Sequence, residues 1–154
     1  MRLAFGRSVL SFSNVCDFLR VAQKIAHKQD ILEEKLMSQH IVARQDEIPP
    51  GGRKIVRVAG REVGIFNLDG TFYALKNVCA HQGARVCLGR IVGTALPSEV
   101  YEYAYGREGQ ILRCPWHEWE YDIATGESLF DPAVKLVSYP VAVVGDDVVV
   151  TIGP

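Results

Sequence analysis

The chain has 154 residues, 48% of them hydrophobic, and a formal net charge of -1. Those values fit one compact domain with a real core plus an appendage, and argue against a disordered polar chain. The charge balance leaves no basic surplus for nucleic acid, and the longest apolar runs, near residues 141 to 144 and 148 to 150, fall far short of the roughly 20 residues of a membrane span.

The first predicted element is a helix over about residues 14 to 36. Ser13 or Asn14 supplies a cap, and Val15, Phe18, Ala22, Ile25, Leu32 and Leu36 follow a 3.6-residue period. Arg2, Arg7 and three serines with no acid among the first sixteen residues have the composition of a transit peptide, against which Asp17 and Glu33-Glu34 weigh. Strand-like sequence begins directly after Met37, which makes Met37 an alternative start. The expected organisation is an N-terminal extension over 1–37 and a β domain over 38–154.

From residue 40 onward, short β-type runs alternate with turn residues: 41–43, 54–58, 62–67, 71–75, 101–105, 110–113, 136–139, 141–144 and 148–152. Pro49-Pro50-Gly51-Gly52 marks a tight connection, and Asp69-Gly70 is a two-residue hairpin signal. Gly106 to Gly109 and Gly145 to Asp147 punctuate later pairs. The predicted fold is all-β, a small antiparallel sandwich or barrel.

Four cysteines, Cys16, Cys79, Cys87 and Cys114, are too few and too scattered for a disulfide framework. Two of them sit beside histidines, as Cys79-Ala80-His81 and Cys114-Pro115-Trp116-His117. That arrangement favours a metal site in a reducing compartment, with the cytoplasm as the expected location. Four such donors can bind zinc or a mixed-ligand 2Fe-2S cluster. Zinc fingers usually pair cysteines in one segment and histidines in another, whereas here each loop is mixed, which favours the cluster. His27 and His40 lie outside the motifs and are expected to face solvent, and Cys16 and Cys87 read as ordinary thiols.

The two motifs and their flanks resemble the Rieske family. Cys79-Ala80-His81-Gln82-Gly83-Ala84 is similar to its C-x-H-x-G-A loop. The run Cys114-Pro115-Trp116-His117-Glu118-Trp119-Glu120-Tyr121-Asp122, followed by Thr125-Gly126, is similar to its C-P-W-H-G-W-x-F/Y-D with a later T-G turn. The resemblance covers about residues 38 to 154. It implies a Rieske-like β-sandwich with two cluster-binding loops, one 2Fe-2S cluster, and Cys79, His81, Cys114 and His117 as ligands. Gly83, Trp116, Glu118, Trp119 and Tyr121 would surround them.

Two ferric ions, two sulfides and two thiolates sum to zero charge, so an added electron leaves a single net negative charge. Mixed-ligand clusters accordingly span about -150 to +300 mV, against about -400 mV for plant-type ferredoxins. Some respiratory members carry an extra cysteine in each loop and a serine two residues after the second histidine. Trp116 and Trp119 stand at those second-loop positions, which implies the lower-potential, ferredoxin-like branch. Tyr121 places a hydroxyl where it would donate to a cysteine sulfur and raise the potential. Glu118 departs from the family's glycine, so either the loop has relaxed or the residue is strained.

The resemblance implies a carrier between a flavin-containing reductase and a terminal oxygenase. The family's oxygenase subunits need a further large domain with a 2-His-1-carboxylate iron site. A small iron-sulfur subunit of a multisubunit oxidoreductase, docked through the N-terminal helix, is a second reading, and a zinc-bound structural module a third. The 32 residues between His81 and Cys114 are expected to hold a hairpin around Tyr101 to Tyr105 that contacts a redox partner.

Overall fold

Period-2 alternation resolves into ten strands among the described residues, 37–153, of a computed structural model of the chain. The helix expected over 14–36, with Cys16 and His27, lies outside them. The strands are β1 (Ser38–Arg44), β2 (Arg53–Val58), β3 (Arg61–Leu68), β4 (Thr71–Lys76), β5 (Arg90–Leu96), β6 (Ala104–Arg113), β7 (Glu120–Asp122), β8 (Ser138–Tyr139), β9 (Val141–Val144) and β10 (Asp147–Ile152). All pairs are antiparallel, in three sheets ordered β1-β10-β9, β2-β3-β4-β8 and β5-β6-β7.

Strand side chains alternate between faces, so a strand buried along its whole length must be covered on both sides. β3 is such a strand over its central five residues, with Val63, Gly64, Ile65, Phe66 and Asn67 all buried. Val63 and Ile65, with Phe72 and Ala74 of β4, pack among Val148, Val150 and Ile152 of β10. Phe66 and Leu75 instead join Leu112, Tyr121, Cys79 and Cys114. The β2-β3-β4-β8 sheet is therefore a middle layer with a separate core on each face, and one of those cores is the floor of the cysteine-histidine loops.

Turn chemistry explains the hairpins. Asp69 and Gly70 both have positive φ, 50° and 92°, the backbone of the two-residue turn read from that dipeptide. Pro49–Gly52 closes with Gly52 N–H donating to Pro49 O at 2.8 Å. Strand assignment by composition fails in three places. Residues 101–103 lie outside β6 at the tip of the β5–β6 hairpin, with Tyr101 at φ 68°. Gly106 to Gly109 lies inside β6 as an irregular stretch, where Arg107 and Gly109 take positive φ. β5 and β7 are absent from the expected runs: Gly93 interrupts the strand formers Ile91, Val92 and Thr94 of β5, and β7 is only three residues long. His40 also departs from expectation, since its Nε2 is buried without a partner among the described residues.

Candidate metal centre

The β5-β6-β7 sheet brings the two motifs together. Arg90, which opens β5, pairs in register with Arg113, which closes β6. The loop before β5, residues 77–89, and the loop after β6, residues 114–119, thus meet at one end of the sheet. Gly89 marks the closest approach, because a Cβ there would lie 1.8 Å from Arg113 O. Only glycine fits.

The first loop is tied down before and after its motif. Asn77, itself buried, accepts from Cys87 N–H through Oδ1 at 2.8 Å and donates through Nδ2 to Glu62 Oε2 at 3.1 Å. Arg85 donates to both oxygens of the same carboxylate, at 2.9 and 3.1 Å. Cys79 N–H donates to Ala84 O at 2.7 Å and Gly83 N–H to Cys79 O at 2.8 Å, a turn that puts Gly83 at φ 75°. In the second loop, Cys114 N–H donates to Trp119 O at 2.8 Å and Glu118 N–H to Cys114 O at 3.1 Å.

Glu118 has φ 57°, so the loop keeps the left-handed turn that glycine normally supplies and the strained alternative holds. Its carboxylate lies 3.7 Å from Arg90 and 3.8 Å from Arg113. Arg113 also pairs with Glu120, its register partner on β7, and Glu120 accepts from Thr94 Oγ1 at 2.7 Å. Alternating charges therefore brace the second loop against β5, β6 and β7.

The four candidate ligands divide by depth. Cys79 and Cys114 are 3% and 2% exposed and belong to one core cluster, whereas His81 and His117 are exposed. The two imidazoles meet edge to face with centroids 4.9 Å apart. Tyr121, fully buried, places its hydroxyl 3.3 Å from Cys79 Sγ. Burial pushes the Cys114 thiol above its ordinary range, and burial followed by the Cys79 sulfur raises the Tyr121 phenol. Tyr121 therefore stays protonated and remains a donor. Trp119 stacks on His81, with centroids 4.6 Å apart and planes at 11°.

A tetrahedral zinc needs donors at about 2.0–2.3 Å from one point. Among the described residues no three His, Cys, Asp or Glu side chains close around such a point. Two buried thiols and two outward imidazoles, one of each from each loop, suit the donor set of a mixed-ligand 2Fe-2S cluster.

All nine residues singled out from the sequence gather here. Tyr121 is a core aromatic and Trp119 half-buried, but Trp116 is 63% exposed and forms no part of the core. Cys87 is fully buried in the same core cluster as Cys79 and Cys114, with its thiol donating to Leu75 O at 3.7 Å, and burial pushes it up to about 12. Asn77 and Phe130 were not read from the sequence. Phe130 packs on the outer side of Trp119, with centroids 5.3 Å apart. An asparagine directly before a ligand loop was the available signal for the first, and no local pattern marked the second. The Tyr101–Tyr103 tip lies at the far end of the sheet from the ligands, since Leu96 pairs with Ala104 while Arg90 pairs with Arg113.

Fold and donors together define a small all-β iron-sulfur domain. Residues 38–140 match the Rieske [2Fe-2S] domain. The ferredoxin component of the naphthalene 1,2-dioxygenase/salicylate 5-hydroxylase systems of Ralstonia sp is 31% identical over 99 residues, spanning 64% of this chain and 80% of that protein. A human Rieske domain-containing protein is 33% identical over 109 residues, 67% of this chain and 62% of the relative. The fold is also that of the ferredoxin of carbazole 1,9a-dioxygenase from Nocardioides aromaticivorans IC177, with a TM-score of 0.59 at 24% identity, covering 73% of this chain and 96% of that one. The chain belongs to the Rieske 2Fe-2S family. Its cofactor is one 2Fe-2S cluster. Among the described residues no helix is long and apolar enough to cross a membrane.

Proposed function

We propose that this chain is a soluble, cytoplasmic single-electron carrier that receives electrons from a flavin-containing reductase and delivers them to a terminal oxygenase. In this reading Cys79 and Cys114 hold one iron, and His81 and His117 hold the other. The observation that carries it is the division by depth: thiols inside a core cluster, imidazoles at the surface. When bound, a 2Fe-2S cluster supplies reversible one-electron chemistry. The chain's own residues supply the rest. Phe66, Leu112 and Tyr121 wall the thiols from water, Tyr121 directs its hydroxyl at Cys79, and the two imidazoles give a partner the shortest approach. Relatives named as ferredoxin components support the same role.

The test begins with anaerobically purified protein. Dithionite reduction is expected to give a rhombic 2Fe-2S paramagnetic signal with two nitrogen couplings, absent from Cys114→Ser and His117→Ala. Mixing with an oxidised terminal oxygenase should then transfer one electron per chain. A colourless protein containing zinc would refute the reading, as would undiminished signal in both variants.

A further inference from the structure

Among the described residues neither His81 nor His117 has a hydrogen-bond partner at its ring; each is in contact with other aromatic rings. Ligand imidazoles are ordinarily oriented by a hydrogen bond from the nitrogen that does not bind metal. The contacts at both rings are aromatic, and the two histidines are packed differently. His117 meets Trp116 edge-on, with centroids 6.2 Å apart and planes at 90°, and Trp116 is itself exposed. His81 lies flat on Trp119, and Trp119 also packs against Phe130 and Tyr121.

Phe130, at 81% exposure, covers the outer side of the Trp119 indole, and Tyr121 lies beyond it toward the core, with centroids 6.3 Å apart. Phe130 is in turn held by its own turn, where Ser128 Oγ accepts from Phe130 N–H at 3.2 Å and Asp131 Oδ1 accepts from Ala133 N–H at 3.0 Å. The Trp119 backbone is fixed as well, because its carbonyl receives Cys114 N–H. Trp119 thus belongs to the second loop by its main chain and to the first loop by its side chain.

We propose that Trp119 is a positioning residue that sets the plane of the His81 imidazole, with Phe130 as its outer support, so that the two histidines are held by different means. This rests on His81 being a cluster ligand. A ligand ring that can rotate changes its orbital overlap with the metal, whereas a ring pinned on an indole cannot. The consequence falls chiefly on one histidine, because Trp119 stacks on His81 and makes no ring contact with His117, which touches His81 only edge to face.

The experiment uses the reduced holoprotein and pulsed paramagnetic resonance of the two nitrogen couplings, together with the midpoint potential. Trp119→Leu keeps apolar bulk but loses the flat face; Trp119→Phe keeps a smaller flat face; Phe130→Leu removes only the outer support. Trp119→Leu is expected to shift or broaden one nitrogen coupling clearly more than the other, with a changed potential. Trp119→Phe should restore most of the wild-type pattern, and Phe130→Leu should give a smaller change in the same coupling. Unchanged couplings and potential in Trp119→Leu would overturn the proposal. So would equal change in both couplings, or failure of Trp119→Phe to recover anything, since both describe general loosening. If Trp119→Leu does not fold, a wild-type pattern in Phe130→Leu overturns the proposal and a single altered coupling supports it. Absence of two nitrogen couplings in the wild type is a different result, which refutes the ligand reading itself.

Discussion

Removal of one oxygen atom from Tyr121 tests the metal centre most directly. A metal-bound Cys79 sulfur carries no proton, so across the 3.3 Å contact the phenol must be the donor. A donor aimed at sulfur gains strength when an electron is added, and therefore favours the reduced state. Tyr121 is fully buried, so no solvent competes for the hydroxyl. A net hydrogen bond is worth about 0.5–1.5 kcal/mol. If about 1 kcal/mol of it differs between the two redox states, the potential changes by about 40 mV, from about 59 mV per tenfold for one electron. Tyr121→Phe keeps ring and packing, so it should lower the midpoint potential by roughly that amount, at a stability cost of about 1 kcal/mol. Spectroelectrochemical titration of wild type and variant side by side measures the first quantity, and a denaturant melt the second. An unchanged or raised potential, with the cluster signal intact, would show that the hydroxyl does not donate to the sulfur.

Other substitutions probe the supports. Glu118 in a left-handed backbone carries a strain of about 1–2 kcal/mol, offset by exposed ion pairs worth about 0–1 kcal/mol. Glu118→Gly should therefore raise stability by roughly 0.5 kcal/mol after the added freedom of the unfolded chain is counted, while β-branched Glu118→Val should lower it; melts of the pair with the same sign would refute the strain argument. A Cβ on Gly64 would meet Cys87 Sγ at 2.6 Å and Cys87 Cβ at 2.8 Å, so Gly64→Ala should destabilise by about 1–3 kcal/mol in chemical denaturation. Cys87 is raised by burial from 9.0 to about 12. Folded protein then holds a proton that unfolded protein releases above about pH 9. Stability should fall as pH rises from there, and iodoacetamide at pH 8 should label Cys87 only after unfolding.

The two motif loops and their convergence on one candidate site were legible because the pattern is local. Cys79, His81, Cys114 and His117 fall within two short motifs, and no tertiary knowledge is needed to group them. The Asp69-Gly70 hairpin was legible for the same reason, since positive φ at two successive residues leaves few alternatives. β5 was not, because Gly93 interrupts the strand-favouring Ile91, Val92 and Thr94, and the register shift beside it is set by pairing with β6. The Gly106 to Gly109 stretch misled in the opposite sense: glycines that usually end strands here sit inside one, opposite the register shift between Val92 and Thr94. His40 and Phe130 depend on contacts made across the fold. At Glu118 the sequence posed the right question, and only the backbone angle answered it.

The pairing of Arg90 with Arg113 acts as a gauge block for the metal centre. It fixes the spacing between the loops at the near end of the β5–β6 ladder, while the irregular register beyond Val92 lies between that pair and the tyrosine-bearing tip. Six strand steps separate Arg90 from Leu96, roughly 20 Å. Residues 97–103 can therefore be lengthened, shortened or exchanged without re-tuning the electronic properties of the far end. Selection can adjust what the chain associates with and how readily it gives up an electron as two independent traits carried on one ribbon.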